Sequence, residues 1–442
     1  MPIGVIEALD AEARGIAREN GKAIFIDGAL PGETVEYASY RAKSRYEQAR
    51  LVRIIHPVAA RVTPRCPHFG VCGGCAMQHL EYAAQTAVKQ RVLEDNLRHI
   101  GRVRAEMVLS PIQGPAWGYR RKARLGVRRV RKKDGTLVGF HEKRSSYIAD
   151  IETCPILYPA ASALLLPLRE LIDGLSIRER LPQVEVAAGD QCLALALRIL
   201  EPLKTADASR LRAFADAHRV TLYLQPGGPE SVRRFHPLPG PELDYALPEF
   251  DLRMSFQPTD FTQVNHDVNR VLVRRVLTLL EPRPSEAVAD LFCGLGNFSL
   301  PIARRGARVT GVEGNAGLVE RACAAAESNG LAGGARFAVA NLFAATPESM
   351  RALGRIDKCL IDPPREGALA VVKSLPSARE EEAPARIVYV SCNPATLARD
   401  AAILVHQKAY RFLCAGVVNM FPHTAHTESI AVFDAALRRR AI

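Results

Sequence analysis

Four short stretches in the last third of this 442-residue chain carry side chains that could do chemistry together. They are 290–297 (Asp-Leu-Phe-Cys-Gly-Leu-Gly-Asn), Asp362-Pro-Pro-Arg365, Ser391-Cys-Asn-Pro394 and 421–428 (Phe-Pro-His-Thr-Ala-His-Thr-Glu). Cys392 follows an apolar run that reads as a strand, so it sits at a strand-to-helix turn. There a thiol can be exposed and helix amides favour its thiolate. Glu428 offers a carboxylate for proton abstraction. His423 and His426 precede it without a convincing third ligand, so a base is preferred to a metal site. The prolines after Asp362 stiffen a loop that presents Asp362 and Arg365 at the ligand edge of a sheet. Gly294 and Gly296 let the backbone turn tightly against a nucleotide-type ligand. The third glycine of a dinucleotide fingerprint is missing, with Ser299 in its place. Glu313 closes the next strand, where a carboxylate can accept hydrogen bonds from both ribose hydroxyls. Phe292 and Asn297 line the same crevice, and Asn341 ends the third strand where an adenine edge would lie. S-adenosylmethionine is the cofactor this pattern favours, and a nicotinamide cofactor is the rival.

The elements that must position these groups are legible as strand-helix alternation from about residue 260, the mark of a doubly wound α/β sheet. Strands are expected at 287–291, 309–313, 337–340, 358–361 and 387–390, with helices from 298 and over 317–328. The close, 415–419 and 429–433, reads as an antiparallel pair, which suits a class I (Rossmann-like) methyltransferase and not a dinucleotide dehydrogenase. Ahead of it, residues 1–58 read as a small OB-like β-barrel and 59–260 as a mixed α+β central domain. The third domain spans 261–442. A helical pattern is expected over 80–100, and a β-hairpin with its turn at 133–136.

An apolar fraction of 48% and a charged fraction of 24% are ordinary for a globular protein. No apolar run approaches a membrane span. The first residues carry Glu7 and Asp10, so a signal peptide is not expected and the cytoplasm is the expected location. The net charge is +12. Nine basic residues and no acid fall between Trp117 and Lys133: Arg120, Arg121, Lys122, Arg124, Arg128, Arg129, Arg131, Lys132 and Lys133. Such a strip predicts contact with a phosphate backbone. Ten cysteines in a reducing compartment read as thiols, ligands or catalysts. Cys66, Cys72 and Cys75, with Cys154 as a distant fourth, have the spacing of metal ligands. That spacing is nearer to ferredoxin-like runs than to paired zinc knuckles, with zinc left open. Cys192, Cys293, Cys323, Cys359 and Cys414 read as small core residues.

One reaction needs this set. Carbon 5 of uracil is too weak a nucleophile to take a methyl group from a sulfonium. A thiolate adding at carbon 6 loads carbon 5 with electron density, and a base must then remove the carbon 5 proton. Cys392 and Glu428 meet that requirement. With these motifs the chain resembles the RNA uracil-C5 methyltransferase family over nearly its whole length. The resemblance implies Cys392 as nucleophile and Glu428 as base. It implies cofactor contacts at Gln263, Phe292, Asn297, Glu313, Asn341 and Asp362, and a [4Fe-4S] cluster on Cys66, Cys72, Cys75 and Cys154. Arg14-Gly-Ile-Ala17 with 28–33 resembles a TRAM module, an RNA-binding barrel. Carrying both module and cluster resembles the branch that acts on 23S rRNA, and no membrane or obligate protein partner is implied. A tRNA or another rRNA uridine is the rival substrate, and a non-catalytic iron-sulfur RNA-binding protein the rival class. One departure is Asn419, where the family pattern has Asp.

Overall fold

The computed structural model describes residues 1–435; the end of the expected third domain, 436–442, lies outside the described residues. At the N-terminus, burial alternates along each strand, as in Lys22–Asp27, where Ile24 and Ile26 are buried. Six strands pair in the order Ile3–Val5, Thr34–Ala42, Tyr46–His56, Lys22–Asp27, Gly15–Glu19, Ala8–Leu9. The sheet curls until the Glu7 N–H donates to the Ile16 carbonyl at 2.8 Å, closing over Ile6, Ile24, Ile26, Val35 and Tyr37.

A second six-stranded sheet runs Arg233–His236, Val220–Gln225, Leu193–Arg198, Gln183–Ala188, Lys122–Val130, Gly135–Gly139. Its last two strands are the expected hairpin, turning at Asp134 with φ of 46°. One face buries Val184, Val186, Leu195 and Leu222 with helices Leu165–Asp173 and Thr205–His218. The other face places Ala187, Ala194 and Ala196 in one core with Val268, Leu272 and Val276 of helix His266–Leu280.

The third sheet carries the chemistry-bearing turns. Its strands are β1 (Ala287–Leu291), β2 (Arg308–Glu313), β3 (Ala335–Val339), β4 (Lys358–Ile361), β5 (Arg386–Ser391), β6 (Arg411–Val418) and β7 (Glu428–Asp434), in the order β3-β2-β1-β4-β5-β7-β6. β1 to β5 are parallel, and β7 is antiparallel to both β5 and β6. β4 is buried throughout, as a central parallel strand covered on both faces must be. The closing pair starts earlier than expected, at Arg411, because Phe412 stacks on Phe433 with centroids 4.6 Å apart. Met107–Val108 adds an eighth strand beside β6, although it lies far upstream in sequence. The expected 80–100 helix is Tyr82–Asn96 followed by a π-turn over Leu97–Gly101, and it packs on helix Pro394–Ala402 and on β6. Among the thiols expected in the core, Cys293, Cys359 and Cys414 are buried. Cys192 and Cys323 are only half-buried, which corrects their assignment.

Candidate active site

Doubly wound sheets bind ligands beyond the carboxyl ends of their parallel strands. Here that edge opens into a cleft of about 1200 Å³. Phe292 follows β1, Glu313 ends β2, Asn341 lies just past β3, Asp362 follows β4 and Cys392 follows β5. All of them line the cleft with Gln263, Asn297 and Glu428. The turn after β1 needs three left-handed residues, Phe292 (φ 66°), Gly294 (φ 55°) and Gly296 (φ 84°). A Cβ on Gly294 would meet no atom within 4 Å, so backbone conformation and not crowding calls for glycine there. Glu313 accepts from the Gly294 N–H at 3.2 Å and the Asn315 N–H at 3.0 Å, one to each oxygen. Asn341 caps the following turn by accepting from the Phe343 N–H at 3.0 Å, and Phe343 packs on Phe292 with centroids 5.6 Å apart. Asn297 differs from the others. Its side-chain amide exchanges two hydrogen bonds with Asn269, at 2.9 and 3.0 Å, and also accepts from Tyr245 Oη at 2.9 Å. That amide holds the turn to helix His266–Leu280.

Cys392 sits between β5 and helix Pro394–Ala402, whose N-cap Asn393 accepts from the Ala395 N–H and whose first residue is proline. Asn393 Nδ2 and Thr396 Oγ1 both donate to the Arg365 carbonyl, at 3.0 and 3.3 Å, locking the Asp-Pro-Pro-Arg loop to the turn that carries Cys392. The Arg365 guanidinium lies 2.8 Å from His426 Nδ1. Burial, with Arg365 next, holds His426 down to about 4, so the ring is a neutral acceptor at pH 7. The expectation of a thiolate favoured by helix amides is corrected. Burial, then Glu428 and Asp362, pushes the Cys392 thiol up to about 11, and Arg365 opposes this only partly. Three anion-forming groups gathered in one pocket do not all ionise together. Burial raises Asp362 well above the carboxylate range and Glu428 to about 7. Near neutrality Glu428 therefore exchanges a proton readily beside a thiol that still carries one.

The loop that leads into Glu428, at the start of β7, is gripped from several elements. Ala76 and Met77 donate their N–H groups to the His423 carbonyl at 2.8 and 2.9 Å, and Tyr119 Oη donates to Pro422 O at 2.9 Å. Trp117 stacks on the His423 ring at 3.9 Å. Gln85 accepts from the His423 N–H at 2.8 Å, and Lys89 donates to Asn419 Oδ1 and to Phe421 O. Gln85 and Lys89 were not singled out from sequence. Their signal was polar residues four apart on a helix whose buried residues include Gln85, Thr86 and Lys89.

Cys66, Cys72, Cys75 and Cys154 come together around one small cavity with Phe69, Phe140 and Ile151. The Gly74 N–H donates to Cys72 Sγ at 3.4 Å. Burial pushes Cys75 up to about 12 and Cys154 to about 11, with the neighbouring thiols adding to both. Among the described residues, no three side chains converge closely enough to hold a single metal ion. The basic strip is less open than its sequence implied. Arg121, Arg124 and Arg129 pair with Asp190, Glu185 and Asp173, and burial lowers Lys122 to about 8. Arg128, Arg131 and Lys132 remain exposed.

The strand order, the antiparallel close and the polar carboxyl edge define a class I, Rossmann-like methyltransferase. Residues 244–435 match the family described as tRNA (Uracil-5-)-methyltransferase. The chain is 65% identical to the 23S rRNA (uracil(1939)-C(5))-methyltransferase RlmD of Dechloromonas aromatica, over 98% of this chain and 100% of that one. It is 60% identical to the enzyme of the same name from Aromatoleum aromaticum, with the same coverage. Among solved structures, the Pyrococcus abyssi tRNA (uracil-54, C5)-methyltransferase in complex with S-adenosyl-L-homocysteine superposes with a TM-score of 0.74. It is 25% identical, covering 98% of this chain and 100% of that one. The chain belongs to the RNA uracil-C5 methyltransferase family.

Proposed function

We propose that the protein methylates carbon 5 of one uridine in 23S rRNA, the position given in its relatives' names, through a covalent adduct with Cys392. The observation that carries this reading is the meeting of Cys392, Glu428 and Asp362 in the cleft that also holds Glu313, Asn341 and Phe292. S-adenosylmethionine, when bound, supplies the methyl group. Glu313 would hold its ribose, Asn341 its adenine edge, and Gln263, Phe292, Asn297 and Asp362 the rest of its contacts, Asn297 by fixing the turn. The uridine leaves its stack to enter the cleft. Cys392 loses its proton to a carboxylate and its sulfur bonds to carbon 6. Carbon 5 takes the methyl group, Glu428 removes the carbon 5 proton, and the electron pair released expels the thiolate. The much higher identity to rRNA enzymes than to the tRNA enzyme favours rRNA. Incubating unmodified 23S rRNA and bulk tRNA with protein and cofactor should give 5-methyluridine at one rRNA position by mass mapping. Methylation of tRNA alone would establish the rival substrate.

We further propose that the four thiols gathered around one cavity hold a [4Fe-4S] cluster; the N–H to Cys72 Sγ, of the kind that tunes cluster sulfurs, supports this reading. Cys66, Cys72, Cys75 and Cys154 would hold it, bracing the cysteine loop. Residues 1–58 are read as the TRAM module, 59–260 as the cluster and hairpin domain, and 261–442 as the methyltransferase domain. No described helix is long and apolar enough to cross a membrane; the proposed rRNA substrate is the support for reading the cytoplasm as the place of work.

A further inference from the structure

Lys89 is among the largest fully buried side chains of the protein, and the reaction as described does not use it. A buried ammonium is costly unless acceptors and counter-charge surround it. Its Nζ donates to Asn419 Oδ1 at 2.7 Å and to the Phe421 carbonyl at 2.8 Å, and both acceptors are neutral. An ammonium has three N–H donors, so these two bonds do not exhaust it. Val418, the residue before Asn419, pairs directly with Glu428 across β6 and β7. Glu428 is buried, and its Oε2 has no hydrogen-bond partner. An ammonium bonded only to neutral acceptors and a carboxylate with an unmet oxygen thus meet at the same end of β6 and β7, one bonded to Asn419 and the other paired with Val418, and each feels the other's charge.

We propose that Lys89 is a positioning residue for Glu428, clamping the loop ahead of it through Asn419 and Phe421 and supplying counter-charge that favours the ionised base. The inference rests on the reading of Glu428 as the base. It also gives Asn419 a purpose. An aspartate there would pair with Lys89 directly and draw its charge away from Glu428.

The remaining charged groups around the pair do not replace this one. Asp362 and Cys392 face Glu428 from the turns after β4 and β5, but both are held protonated by burial and by Glu428 itself, so neither supplies charge where Glu428 titrates. His423 and His426 are each held near 4 by burial, so they titrate below the working range. Arg365 acts on Cys392 and His426, and Tyr82 bonds Asn419 from Lys89's own helix. Burial lowers Lys89 to about 7 and raises Glu428 to about 7, while each opposes the other's shift. The two titrate as a coupled pair. Without the ammonium, Glu428 binds its proton more tightly.

The test is single-turnover release of methylated RNA from Cys392, followed from pH 6 to 9 with the full chain, an unmodified 23S rRNA fragment and S-adenosylmethionine. Lys89→Met should move the acid limb up by about one pH unit, since removing a nearby opposite charge from a buried carboxylate is worth about that much. Its RNA adduct should accumulate at pH 7 and clear at pH 9, whereas Lys89→Arg should keep the wild-type limb. Asn419→Asp, which is isosteric, should shift the limb in the same direction by less. A Lys89→Met rate reduced by one factor at every pH means that Lys89 only pins the helix, and the inference is overturned. If that variant does not fold, an unmoved limb in Asn419→Asp overturns it instead. Wild-type protein that forms no Cys392-linked RNA overturns the base assignment and this inference with it. Wild-type turnover with unshifted variants overturns this inference alone.

Discussion

On the proposed mechanism Cys392 and Glu428 divide one reaction between them, and their separate losses should look different. Cys392→Ala removes the only step that activates carbon 5, so methylation should vanish while S-adenosyl-L-homocysteine still binds. Glu428→Gln should still permit adduct formation and methyl transfer but slow proton removal by roughly 10²–10⁴-fold. Methylated RNA should then stay attached to Cys392 and appear as a shifted band on a denaturing gel; a gel without that band rejects the assignment. The same substitution has a stability signature. Glu428 is raised to about 7 by burial, against about 4.5 in the unfolded chain. Its stabilising contribution is therefore complete below pH 4.5 and is lost as pH rises through about 7. Glu428→Gln should accordingly raise the melting temperature relative to wild type at pH 8 more than at pH 5, as expected where a site trades stability for function.

At the scale of elements, the sequence was most readable where a single physical constraint sets the pattern. β1 and β4 fall on the residues expected, because buried parallel strands are mostly apolar, with Asp290 and Lys358 as the only charged residues in the two. The hairpin was readable because Asp134-Gly135 can turn it. Sequence order could not show that Met107–Val108 would extend the methyltransferase sheet, or that Lys89 would reach Asn419, since neither contact has a local signature. Nor could a list of basic residues show which were already neutralised. Arg129 bonds Asp173, which also accepts from Thr136, so it ties the hairpin to helix Leu165–Asp173. Reversing Arg129 should lower stability with little specific effect on RNA. Reversing the exposed Arg128 and Arg131 should weaken RNA binding and flatten its salt dependence, with cofactor affinity unchanged. Salt-titration binding isotherms of the variants separate the two outcomes, and unchanged RNA affinity after the Arg128 and Arg131 reversal would make that strip a solvated face.

Across the whole molecule, the cysteine loop and the base loop are one mechanical unit. Ala76 and Met77, directly after Cys75, hold the carbonyl of His423, and Gln85 holds the amide of the same residue while donating to Met77 O and Leu80 O. The turns after β1 and β2 proposed to bear the cofactor are pinned by other bonds, Glu313 to the Gly294 and Asn315 amides and Asn297 to Asn269 and Tyr245, none of which involves the cysteine loop. Disturbing the cysteine loop should therefore reach the RNA end of the cleft and spare the cofactor end. Native protein prepared without oxygen should be brown and carry several iron atoms per chain, and a colourless protein with stoichiometric zinc would reject the cluster. Cys72→Ala should lose the colour and weaken RNA binding. Its affinity for S-adenosyl-L-homocysteine, read by calorimetry, should stay at the wild-type value for whatever fraction remains folded. Cofactor affinity falling in step with iron content would instead mean that the loop supports the whole sheet, and that the two ends of the cleft are not mechanically separate.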